Sequence, residues 1–75
     1  MRFIGLSGKQ VADALKRAGF IRITQKGSHI KYRKFIEGKK LTVIVPNHKE
    51  LKPSVVDSIL EMAELTAAEF KNFIK

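Results

Sequence analysis

In the stretch Gln25-Lys26-Gly27-Ser28-His29-Ile30-Lys31-Tyr32-Arg33, a histidine follows a Gly-Ser pair and has three cations close to it in sequence. An imidazole, with an ordinary pKa near ~6.5, can give or take a proton at neutral pH. Transesterification of a phosphodiester needs such a transfer, either at the attacking 2′-oxygen or at the leaving 5′-oxygen. Lys26, Lys31 and Arg33 would stabilise the charge that builds on the phosphoryl oxygens. The small residues Gly27 and Ser28 would let another backbone come close, with the Ser28 hydroxyl or N–H as an added donor. The same pattern also fits an exposed histidine at a strand start with no chemical task, and spacing alone leaves both readings open.

The chain's second histidine, His48, lies in Val45-Pro46-Asn47-His48-Lys49. It could complete an acid–base pair or be an inert loop residue. Ser28 is a poor nucleophile for His29, because adjacent side chains on a strand point to opposite faces and no third residue orients the imidazole. With two histidines, no cysteine and no carboxylate within seven residues of His29, local spacing assembles no zinc or two-metal site. The glycines fit neither the Walker nor the dinucleotide-binding pattern. Tyr32 is expected half in the core with its phenol outward. Phe35 shares the cationic strand face and could stack on a base or pack under a loop.

These residues need a scaffold, and the hydrophobic pattern supplies one. Ser7 and Gln10 form a capping box that starts a helix at residue 8. Val11, Ala14, Leu15 and Ala18 line one face of it, and Gly19 ends it. Phe20 to Lys26 alternates as a half-buried strand, with Ile21 and Ile23 on one face and Arg22, Thr24 and Lys26 on the other. Gly27-Ser28 turns the chain into a second strand, where Ile30, Tyr32 and Ile36 oppose His29, Lys31 and Arg33. Glu37-Gly38-Lys39-Lys40 reads as a hairpin loop, and Leu41, Val43 and Val45 share a face of a third strand that Pro46 closes. Pro53 opens a second helix, with Val55, Val56, Ile59, Leu60 and Ala63 as its stripe. A last short helix, capped by Thr66 and Glu69, turns Phe70, Phe73 and Ile74 inward. Both flanking helices should stack on the apolar sheet face, leaving the charged face open.

At 75 residues the chain is expected to be one domain, residues 1–75. The net charge is +8 and is uneven: residues 1–49 carry +10 and residues 50–75 carry −2. Concentrated positive charge attracts a polyanion and releases counterions on contact, which points to nucleic acid. A disperse, merely solubilising set of lysines is the bland alternative. The absence of cysteine fits a reducing compartment, and no apolar run has signal-peptide or membrane-spanning length, so a cytoplasmic location is expected.

Gly27-Ser28-His29 before Ile30-Lys31-Tyr32, then Val45-Pro46-Asn47-His48, Glu50-Leu51-Lys52-Pro53 and Ser58-Ile59-Leu60, together resemble the HicA (YcfA-like) family of toxin mRNA interferases. The resemblance runs from Ser7-Gly8-Lys9 to Glu69-Phe70. It implies a fold like the double-stranded-RNA-binding domain, α-β-β-β-α, and ribosome-independent mRNA cleavage with the strand-start histidine, here His29, as the catalytic residue. It also implies a HicB-type antitoxin that covers that histidine, in a complex that represses their operon. Metal and cofactor play no part in this expectation, and Lys26, Gly27, Ser28, Lys31 and Arg33 are the expected RNA contacts. Two positions depart from the family pattern: Ser54 where Gly often follows Lys-Pro, and Glu64 where Gly usually closes the second helix. Glu64 should therefore form a more strained left-handed cap. Composition and charge alone also fit a non-catalytic RNA-binding module, or a protein-interaction domain whose basic face meets an acidic partner.

Overall fold

A computed structural model describes residues 3–74; Met1, Arg2 and Lys75 lie outside the described part. Helix α1 (Gly8–Arg17) leads into strands β1 (Ile21–Lys26), β2 (His29–Ile36) and β3 (Lys39–Pro46), and helices α2 (Pro53–Ala63) and α3 (Ala67–Phe73) follow. The strands form one antiparallel sheet in the order β1-β2-β3. This is the expected α+β arrangement, α-β-β-β-α with a short extra helix.

The helix starts form as the sequence dictates. Ser7 Oγ accepts from the Gln10 N–H at 3.1 Å, and Gln10 Oε1 accepts from the Ser7 N–H at 2.9 Å. Thr66 and Glu69 repeat the arrangement at α3. These reciprocal bonds satisfy backbone donors that a helix start leaves without partners. The second helix opens on Pro53 and has no side-chain cap. It ends on Glu64 in the left-handed region, at φ 56 and ψ 40, where the Leu65 N–H reaches back to the Leu60 carbonyl. The Glu64 carboxylate also pairs with the Lys39 ammonium, linking this corner to the start of β3.

The core lies between one sheet face and the helices. Val11 and Leu15 of α1, Tyr32 of β2, Val43 and Val45 of β3, Val56 and Ile59 of α2 and Phe70 of α3 are all buried in one cluster. Burying each such side chain contributes roughly 1.5–3 kcal/mol. The smallest dimension of the chain trace, 19 Å, is what one sheet layer and one helix layer occupy.

The structure corrects three expectations. β1 is not half-buried: Ile21 is 66% exposed and Ile23 47%, because α1 and α2 pack on β3 and leave this edge strand uncovered. Its alternation is also broken by a bulge between Arg22 and Thr24. Second, the hairpin after β2 is tighter than Glu37–Lys40, since Lys39 and Lys40 already belong to β3. The turn is Glu37-Gly38, both at positive φ (48 and 77), the mirror-image geometry that matches strand twist. Third, Tyr32 is not half-exposed but buried, at 2% exposure. Lys34 is a polar intruder on the same inner side of β2. Its Nζ donates to the Ala18 carbonyl at 2.5 Å and lies 5.7 Å from the Phe20 ring centre, a cation at the end of α1 that the helix dipole favours.

Candidate functional site

Cross-strand register decides which side chains meet on the sheet face away from the helices. His29 stands opposite Pro46 of β3 and Lys26 of β1. Lys31, next along this face, stands between Ile44 and Thr24, and Arg33 between Thr42 and Ile21. Side chains directly opposite one another on one face begin ~5 Å apart, so the ammonium of Lys26 is within reach of the His29 ring.

The two-residue turn at Gly27-Ser28 fixes the pairing of Lys26 with His29, and a bulge further back re-registers the start of β1. Ile21 and Lys26 are an odd number of residues apart, so regular alternation would put them on opposite faces. The extra residue, Ile23, shifts the first half of β1 by one place relative to the turn-proximal half, so that Ile21 joins Thr24 and Lys26 on the open face. Arg22 is left on the helix side, paired with Tyr32, and its guanidinium donates to Gln25 Oε1 at 2.5 Å. The expected polar face of β1 thus holds for Thr24 and Lys26 and is inverted at Arg22.

Thr24, Lys26, His29, Lys31 and Ile44 line one depression of about 480 Å³. It is an open trough with two cations, an exposed imidazole and one apolar wall, a size that suits a nucleotide-scale ligand. Thr24 and Ile44 were not among the expected contacts. Ile44 could have been found, because it alternates against the buried Val43 and Val45 and so must face outward. Arg33 shares the face but stands one step beyond the trough, half-buried, with its Nε donating to Thr42 Oγ1 at 3.4 Å.

Gly27 and Ser28 form the turn that delivers His29. Gly27 has φ +61 and Ser28 a negative φ, so the first turn position requires the left-handed region that glycine enters without cost. A Cβ on Gly27 would meet nothing within 4 Å, so its demand is on the backbone and the space beside it is open. The Ser28 carbonyl accepts from the Asn47 N–H at 2.6 Å, and the His48 carbonyl accepts from the Gly8 N–H at 2.8 Å. These bonds hold the 46–48 segment against the turn and the start of α1. They bring the backbones of both histidines to one end of the sheet, but His48 does not line the trough. No group of three His, Cys, Asp or Glu side chains gathers among the described residues.

The fold and the site define a small α+β domain with helices on one sheet face and, on the other, a basic surface ending in an exposed histidine. The family model of the HicA toxin of bacterial toxin–antitoxin matches residues 8–65. The chain belongs to the HicA toxin family and is a toxin of a toxin–antitoxin system, which implies an antitoxin partner. No curated protein matches the chain. The matched span runs from the first residue of α1 to just past α2 and leaves α3 outside it. Among the described residues no helix is long and apolar enough to cross a membrane.

Proposed function

We propose that this toxin is a metal-independent endoribonuclease that cleaves mRNA in the trough headed by His29. The observation that carries the reading is the meeting of an exposed imidazole with Lys26 and Lys31 in one open trough. His29 moves a proton either from the 2′-hydroxyl or to the departing 5′-oxygen. The 2′-oxygen attacks the adjacent phosphorus, the bond from phosphorus to the 5′-oxygen breaks, and that oxygen leaves as a hydroxyl. The products are a cyclic phosphate and a new 5′-hydroxyl end, so no net redox change or co-reactant is needed. Lys26 and Lys31 offset the charge gathering on the phosphoryl oxygens. Arg33 holds the neighbouring phosphate, while the turn at Gly27-Ser28 leaves room for the RNA backbone. A HicB-type antitoxin would neutralise the toxin by covering His29.

Wild-type and His29→Ala protein, incubated with a long single-stranded RNA in EDTA, test the proposal on a gel. Fragments ending in a cyclic phosphate are expected from the wild type only. Equal cleavage by His29→Ala removes the role of the histidine, and loss of wild-type cleavage in EDTA removes the metal-free step. Intact RNA in both lanes, together with a mobility shift, makes the chain a non-catalytic RNA-binding module.

A further inference from the structure

The open sheet face continues past the trough. Of the chain's six aromatic side chains, five are buried in the core or packed against it, and Phe35 alone is left 70% exposed. It lies on β2 on the same face as His29, Lys31 and Arg33, directly opposite Lys40 of β3. Nothing in the fold needs a phenylalanine there, since a polar residue would satisfy a solvent-facing strand position equally well.

We infer that Phe35 is a base-stacking platform for single-stranded RNA that runs along β2 from the His29 trough, with Arg33 and Lys40 following the phosphates. The inference rests on the proposed RNA substrate and extends it to a defined track. Successive open-face positions on β2 are two residues apart, roughly 7 Å, close to the reach of one extended nucleotide. His29 to Phe35 is then ~20 Å, or about three nucleotides. Stacking suits this position because every base has a π-face, so an exposed ring flanked by cations grips a strand without reading its sequence. Arg33 is already oriented by Thr42 and does not have to be ordered by the ligand. An acidic protein would also satisfy the cations, but it gives no reason for a lone exposed ring between them.

The test measures binding of fluorescent 2′-O-methyl oligonucleotides, which lack the attacking hydroxyl and leave the wild-type chain usable without cleavage. Phe35→Ala should weaken binding about tenfold, while Phe35→Tyr should keep it. An abasic position scanned along the oligonucleotide should, at one place, weaken the wild type and leave Phe35→Ala unchanged. Lys40→Ala should reduce the magnitude of the slope of log affinity against log salt by roughly 0.7. Phe35 is a surface residue, so the variant should keep the wild-type circular dichroism spectrum and melting curve. Wild-type affinity in Phe35→Ala overturns the track and leaves the proposed nuclease standing. Loss of antitoxin binding with unchanged RNA binding assigns the ring to the protein partner and also overturns it. No binding by the wild type at low salt removes the RNA reading and the track together.

Discussion

In the middle of β2, Tyr32 is buried although Ile30 and Lys34, its neighbours on the same face, are only half-buried. Burial pushes its phenol pKa above the ordinary value; the Arg22 cation pulls it down and the Asp13 carboxylate adds a smaller upward push. The neutral phenol is therefore favoured in the fold. Its contribution to stability is complete below the unfolded pKa of about 10 and is lost as pH rises through the higher folded value. Tyr32→Phe keeps the packed ring and removes the ionisation. Its denaturation midpoint should fall less than that of the wild type as pH is raised past ~10; parallel losses would show that the phenol is not the cause. At this scale the sequence identified which residues could carry chemistry, since His29, Lys26 and Lys31 are recognisable by type. Whether His29 faces water was beyond it, because exposure depends on what the helices cover.

Helix α1 and the end of β3 meet at Gly8. Gly8 is the first helical residue, where the interior preference for alanine over glycine is felt only weakly, so propensity by itself favours Gly8→Ala only slightly. Packing opposes it: a Cβ at Gly8 would overlap the Pro46 carbonyl oxygen and lie 3.1 Å from both Asn47 Cα and His48 N. Those are backbone atoms that cannot rotate away, and overpacking of this kind costs about 1–3 kcal/mol. Gly8→Ala should therefore lower stability by ~1–3 kcal/mol in urea denaturation. Because Pro46 pairs with His29, the substitution should also reduce the RNA cleavage proposed for this site. A gain in stability would mean that the 46–48 segment yields, and the clamp argument would fail. The caps and helix stripes were legible at this scale, being local patterns of a few residues. The bulge at Ile23 was not, because nothing in Arg22-Ile23-Thr24 marks it, and only the pairing of β1 with β2 shows where the register slips.

Over the molecule as a whole, unopposed positive charge is concentrated on the open sheet face. Lys26, Lys31, Arg33 and Lys40 share that face and no carboxylate stands on any of the three strands, whereas the helix layer mixes Asp13, Asp57, Glu61 and Glu69 with Lys9, Lys16, Arg17 and Lys71. A polyanion is thereby directed to the sheet in preference to the helices, where charges of both signs alternate. If all four cations displace counterions from single-stranded RNA, log affinity should fall with log salt with a slope of about −3. Titration of a labelled oligonucleotide across a salt series measures this directly. A flat profile would mean that the open face does not meet phosphates.

Hydrophobic periodicity, caps and turn residues determined the order of elements and the inner sides of α1, α2 and β3, because each follows from the chemistry of near neighbours in the chain. Charge by residue type likewise marked the first two-thirds of the sequence as the basic part. Tertiary structure decided what periodicity cannot express: that the helices cover β3 and leave β1 bare, that a bulge turns Ile21 to the open face and Arg22 to the helix side, and that Phe35 alone among the aromatics is left in water. Each of these depends on which distant segments pair and pack, and burial and register are properties of those contacts rather than of any stretch of sequence.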